Sequence, residues 1–299
     1  MKTQETPLNR TDMNRSLWRD LERRLGTSDL LQWLENETER VANLGRTHTG
    51  CVRFSQSLLR DRAITIIRAG THLPALATIR PVESGYEIAY ASFARAEDQR
   101  FAIAHEISHT FWFAPGVDGR PLSPLQRALG DDPTIEWLCN RAAAAMLLPR
   151  SDVSELVEHA PNVLHEIPDL ARRYVIPERL VARRIFHDLG DSEMSVAGVR
   201  LENGKNRPAQ AKVAWLAALP GRAKTKKRVE GRIVPIDLLP DVPVGTTAAV
   251  DVDGRWLMLL ESATKRDRSK PLSACSRLPP RRAWVARTSD VWYLAIRAE

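Results

Sequence analysis

The chain has 299 residues, 43% of them hydrophobic and 27% charged, which excludes a disordered or low-complexity polypeptide and leaves room for more than one folded module. Its net charge of +7 favours acidic or polyanionic partners without specifying a fold. Three cysteines, Cys51, Cys139 and Cys275, are odd in number, far apart and without Cys-x-x-Cys spacing. Neither a disulfide framework nor a cysteine-based zinc site is expected, and a reducing cytoplasm fits.

The first fifteen residues are polar and hold no apolar run, so no secretory signal is expected. No apolar stretch approaches the roughly 20 residues that a membrane-spanning helix needs. Residues 14–44 place Leu17, Trp18, Leu21 and Leu25, then Leu30, Leu31 and Leu34, at helical spacing, which predicts one or two amphipathic helices. Strands are expected at 63–67 and 85–91, the second alternating Tyr86, Ile88 and Tyr90 on one face. That second strand is a candidate edge for pairing with an extended substrate, and an ordinary sheet strand is at least as good a reading. A helix is predicted over 96–113, opened by Glu97 and Asp98 and closed by Pro115-Gly116. After a Pro- and Gly-rich connection a further helix begins, with Asp132 as N-cap and Pro133 at its first position, and stops at Pro149. From 151 to 190 the pattern stays helical in pieces broken by Pro161, Pro168 and Pro177. From about 195 the texture turns to β. Asp253-Gly254 predicts a hairpin between 247–252 and 255–260, and Thr288-Ser289-Asp290 a second between 284–287 and 291–296.

Chemistry is concentrated in the first of the two well-marked helices, which carries His105-Glu106-Ile107-Ser108-His109. Four residues advance a helix by about 400°, so the imidazoles of His105 and His109 stand one above the other and can share a tetrahedral zinc ion. Glu106, about 100° round from His105, is placed to act as a base on water at the metal. Ile103, Ile107, Phe111 and Ala114 form an apolar stripe that would seat the helix in a core, while Phe101 and Trp112 would dry the site. Trp112 and Pro115 occupy positions where a metzincin requires glycine and a third histidine, so that class is excluded. A carboxylate from the following helix is then the expected third ligand. Glu136, 27 residues after His109 (136 − 109), is favoured over Asp131, Asp132, His159 and His165. Asn140, one turn on, is expected to orient Glu136 from outside the coordination shell, and Ala142–Ala145 let this helix lie close to its partner.

These segments, His105-Glu106-Ile107-Ser108-His109 followed by Glu136 through Pro149 with Asn140 and Ala142–Ala145, resemble the ImmA/IrrE family of metallo-endopeptidases. The resemblance is specific over about 85–150 and weaker to 190. Ser108, Cys139 and Ala142 stand where the family usually has glycine, alanine and phenylalanine. The resemblance implies that His105, His109 and Glu136 bind zinc, with manganese as the alternative ion, and that Glu106 is the catalytic base. For the second donor to the developing oxyanion, Tyr86, Tyr90, His159 and His165 are equal candidates.

Residues 168–185 have helix-turn-helix texture, with arginines at 179, 183 and 184 on the second helix. Structural support is the favoured role and DNA contact the weaker one. Basic runs at 222–228 and 265–270 read as solvated loops, and Trp215, Trp256, Trp284 and Trp292 as core aromatics of the β part. The expected architecture is α+β. It comprises a zincin-like peptidase core with a small sheet (1–150), a helix-turn-helix-like segment (151–192) and a β-rich C-terminal domain (195–299). The expected activity is site-specific cleavage, in the cytoplasm, of a regulatory protein. The resemblance implies that this substrate is a helix-turn-helix transcriptional repressor. The reading from another class is a DNA-binding regulator with a structural or vestigial metal site.

Overall fold

The computed structural model describes residues 15–112, 132–189, 194–204, 207–217, 233–234, 244, 247–252, 281–287 and 291–297. The chain forms two compact units, Met1–Val153 with Ala171–Pro177, and Ser154–Leu170 with Glu178–Glu299.

In the first unit, helices α1 (Arg15–Leu25) and α2 (Leu30–Gly45) realise the leucine periodicity of 14–44, with Leu17, Leu21, Leu30 and Leu34 buried. Asp29 caps α2 by accepting from the Gln32 N–H. A short α3 (Gln56–Asp61), capped by Ser55, leads into β1 (Ile64–Gly70). Then follow β2 (Ala77–Val82), β3 (Gly85–Ala91) and α4 (Ala96–Trp112). The sheet order is β1-β3-β2, with β1 parallel and β2 antiparallel to β3. Of the two roles open to 85–91, substrate-pairing edge and ordinary sheet strand, the second is observed. β3 is the middle strand, its N–H and C=O groups are taken up on both sides, and the edges belong to β1 and β2.

Register explains how β2 tolerates Pro81. The Ala91 N–H donates to the Leu76 carbonyl, so bonded pairs recur at 78/89 and 80/87 along the register. Ala77, Ile79 and Pro81 then turn their backbone groups outward, and a proline on that side breaks no ladder bond. On the face carrying Glu87, its carboxylate is held by Arg68 and Arg80 at 2.6 and 2.9 Å, with both arginines more than half exposed. The opposite face, with Tyr86 and Ile88 buried, is left for α4, which packs on β2 and β3.

Gly85 makes the β2–β3 turn possible. Its φ is +142°, and a Cβ there would overlap the Ala63 carbonyl oxygen, which accepts the Tyr86 N–H at 2.8 Å. Gly85→Ala is expected to destabilise the fold by about 2–3 kcal/mol, read as a lower denaturant midpoint with an unchanged slope.

Helix α5 (Pro133–Leu147) starts as the sequence predicts, with the Asp132 carboxylate accepting from the Thr134 N–H at 2.7 Å. Ala142–Ala145 are wholly or almost wholly buried, and these small side chains let α5 lie close against α4 and α2. Ile103, Ile107 and Phe111 of the α4 stripe are buried as expected, while Ala114 lies outside the described residues. Truncating Ile107 to alanine in such a core costs about 2–5 kcal/mol.

Helices α6 (Arg150–Glu158), α7 (Ile167–Tyr174) and α8 (Glu178–Arg183) follow, the last continuing into a π-turn at Arg184–Leu189. Val175, between α7 and α8, has φ +52°, a costly conformation for a β-branched residue. In the second unit, strands β4 (Met194–Gly204), β5 (Arg207–Ala217), β6 (Ile233–Val234), β7 (Thr247–Val252), β8 (Arg281–Arg287) and β9 (Val291–Arg297) form an antiparallel sheet of order β6-β5-β4-β9-β8-β7. The expected hairpin around 288–290 is the β8–β9 pair. For the hairpin at Asp253-Gly254, β7 is present and pairs with β8, while 255–260 lies outside the described residues. Both basic runs, Cys275, Trp256 and Asp131 also lie outside them. Among the described residues no helix is long and apolar enough to cross a membrane. The fold class is α+β.

Candidate metal centre

Helix α4 runs without glycine or proline from Ala96 to Trp112, so the four-residue spacing of its two histidines becomes a real stack. Their ring centroids are 5.0 Å apart and their Nε2 atoms 3.3 Å apart. Glu136 enters from the first turn of α5, where the helix dipole favours a carboxylate. Its Oε2 lies 3.3 Å from His105 Nε2 and its Oε1 3.3 Å from His109 Nε2. Taking one donor atom from each residue, all three lie within 4.8 Å of one another.

Such convergence matches a divalent cation. A tetrahedral ion with bonds of about 2.0–2.1 Å separates its donors by roughly 3.3–3.4 Å, and two imidazoles with a carboxylate are a set that zinc accepts, with one position left over. Two imidazole nitrogens turned toward each other and a shared carboxylate are a poor arrangement for neutral groups and a good one around positive charge. The electrostatics of the site agree. Burial disfavours the charged form of His105, but its hydrogen bond to Glu136 and the charges of Glu106 and Glu136 outweigh this and raise it above its ordinary value. Burial pushes Glu136 up, yet the two imidazoles win and bring it to about 2. Its folded value lies below the ordinary 4.5, so the ionised carboxylate favours the fold above about pH 4.5, and that contribution is lost as pH falls toward about 2.

Glu106 sits on the sheet side of α4. Its carboxylate accepts a hydrogen bond from the outward-facing Ile79 N–H of β2. Burial raises it above the ordinary carboxylate range, and His105 and His109 offset part of the rise. A carboxylate so raised is a better proton acceptor near neutral pH than a solvated one.

Asn140 has a different partner from the expected one. Its Oδ1 lies 3.0 Å from His105 Nδ1, so Asn140 orients an imidazole and not Glu136. With Nδ1–H donating to Asn140, the Nε2 lone pair is left for a metal. Asn140→Leu is expected to weaken zinc binding by about 10- to 100-fold, measured by chelator competition, with Asn140→Asp retaining most of the affinity.

Phe101 packs beside His105, ring centroids 6.4 Å apart. Trp112 instead turns into the core, against Trp33 and the Cys139 sulfur. Of the rival ligands, Asp132 caps α5, while His159 and His165 belong to the second unit. There His159 Nδ1 meets the Glu155 carbonyl at 2.7 Å and His165 Nδ1 meets Thr247 Oγ1 at 2.9 Å. Sequence reasoning missed β2 and the Ile79 contact to Glu106, and its one available signal, a β-branched run ending at Pro81, reads weakly as a strand.

Comparison with known proteins follows the same segment. The domain family described as "IrrE N-terminal-like domain" matches residues 60–186. Over 85 residues, 27% of this chain, the sequence is 38% identical to "Radiation response metalloprotease IrrE" of Deinococcus radiodurans, covering 25% of that protein. It is likewise 38% identical over 85 residues to the protein of the same name from Deinococcus deserti, covering 29% of it. The aligned part thus spans about a quarter of the length of these relatives. Among solved structures, a "Mycobacterium tuberculosis transcriptional regulator" aligns over 88% of this chain and 76% of its own, with a TM-score of 0.39 and 16% identity.

Proposed function

Residues 60–186 are an ImmA/IrrE-family domain, and from that premise we propose that the protein is a zinc-dependent endopeptidase with a zincin-like core. In this reading His105, His109 and Glu136 hold the ion and Glu106 is the catalytic base. One observation carries it: two imidazole nitrogens and one carboxylate, from two different helices, converge at 3.3 Å separations with a second carboxylate beside them.

When bound, zinc supplies a Lewis acid that lowers the pKa of water to about 7 and polarises a carbonyl. Glu106 takes a proton from the attacking water and hands it to the departing amine nitrogen, so that one peptide bond and one water become a carboxylate and an amine. Asn140 keeps His105 Nε2 aimed at the ion. The Ile79 N–H holds Glu106 against the β2 edge, where an extended peptide would lie. A purely structural site fills all four positions with protein, and neither needs nor explains Glu106.

The substrate in this reading is a helix-turn-helix transcriptional repressor, cut at one site to release the genes it controls. Residues 1–150 act as the peptidase domain, 151–192 as a supporting helical segment and 195–299 as a β-rich domain. The test mixes the full chain, zinc or manganese, and the repressor encoded nearest its gene. A single pair of fragments that vanishes when a chelator is added is expected. An intact repressor, together with salt-dependent DNA binding lost on neutralising Arg179, Arg183 and Arg184, would favour the DNA-binding regulator instead.

A further inference from the structure

The chain departs from the family pattern at Cys139, and the structure gives that departure a partner. Trp112 lies three residues beyond His109 on α4 (112 − 109), and Cys139 three beyond Glu136 on α5 (139 − 136). The Trp112 Nε1–H donates to the Cys139 sulfur at 3.1 Å. Both residues are buried, Cys139 completely. An indole N–H enclosed in a core requires an acceptor, and alanine at 139 would offer none.

We propose that Trp112 and Cys139 are positioning residues for the metal centre. Their bond sets the register of α5 on α4 so that Glu136 reaches the two imidazoles. This inference rests on the metal reading given above. Consecutive residues of α5, Cys139 and Asn140, bond to α4 at positions seven residues apart, Trp112 and His105 (112 − 105). Seven residues are about 10 Å along a helix. One attachment leaves a helix free to roll about it; two, from neighbouring residues to points so far apart, fix both its rotation and its slide. Glu136 lies one turn before this pair, so its carboxylate follows whatever the pair dictates. Trp33 of α2 also packs against Trp112, ring centroids 5.9 Å apart. Burial also holds the Cys139 thiol protonated, well above its ordinary value, consistent with an acceptor role and not with metal ligation.

The test measures zinc affinity of the full chain by chelator competition, the visible spectrum of the cobalt-substituted protein, and the melting temperature without metal. Wild type, Cys139→Ala, Cys139→Ser, Trp112→Phe and the Trp112→Phe/Cys139→Ala double variant are compared. Cys139→Ala is expected to weaken zinc binding about tenfold, the low end for groups that orient metal ligands, and to change the cobalt spectrum. Cys139→Ser, which keeps an acceptor, should stay within about twofold of wild type, and the double variant should bind no worse than Trp112→Phe alone. Should Cys139→Ala match wild type in affinity and spectrum while melting lower, the contact is packing alone and the inference is overturned. Should Cys139→Ala fail to fold, Trp112→Phe and Cys139→Ser decide: an altered cobalt spectrum in the first and a wild-type one in the second support the inference, and any other pair of results overturns it. Failure of the wild-type chain to bind one zinc would instead reject the metal reading itself, and this inference with it.

Discussion

Replacing Glu136 by alanine is expected to weaken zinc binding by more than about 100-fold, beyond the range seen when only an outer-shell partner is lost, while the fold persists. The carboxylate is the anionic member of the converging donor set, facing both imidazoles. Without it an ion keeps two ligands on a single helix and loses the tie between α4 and α5. The side chain is 45% exposed, so its truncation opens no core cavity, and the melting temperature without metal should fall only by the solvent-screened contribution of its contacts to the two imidazoles. Chelator competition on the purified full chain checks the affinity, and thermal unfolding checks the fold. An unchanged affinity would remove Glu136 from the site and leave only a pair of stacked histidines.

Glu106→Gln should separate binding from catalysis. Glutamine has the shape of glutamate and can still accept from the Ile79 N–H, so α4 and its histidines stay in place and zinc affinity should remain within a few-fold of wild type. What disappears is a group able to take a proton from water and return it to the amine. Peptide hydrolysis is expected to fall by about 10²- to 10⁴-fold, the usual contribution of a general acid–base group. Cleavage rates measured with metal content determined on the same sample make the comparison. A variant that loses zinc along with activity would point to Glu106 as a structural residue, and one as active as wild type would mean that it is not the base.

How much of this was legible in the sequence depends on how local each feature is. The stack of His105 over His109 follows from helical spacing alone, and α5 follows from Asp132, Pro133 and Pro149. Glu136 was legible because it lies at the start of a well-capped helix whose alanine face needs a close neighbour. Asn140 was recognised as a support but matched to the wrong partner. Sequence places it on the face of Glu136, and only the packing of α5 on α4 reveals that its side chain reaches His105 first. The strands at 63–67 and 85–91 were legible, and of the two roles open to the second, edge or ordinary sheet strand, the sequence could not choose, because the pairing of 85–91 on its other side comes from β2, whose own signal is weak. In β2 the proline that argues against a strand sits at an outward position, where it costs nothing. The Trp112–Cys139 bond was not legible at all: it joins two helices through one contact, and a tryptophan three residues after a ligand reads equally well as a cover for the site.

Zinc-edge X-ray absorption of the zinc-loaded full chain probes the coordination most directly. Two imidazole nitrogens and two oxygens at about 2.0–2.2 Å, with no sulfur, are predicted. A sulfur scatterer near about 2.3 Å, or a shell with fewer than two imidazoles, would contradict it.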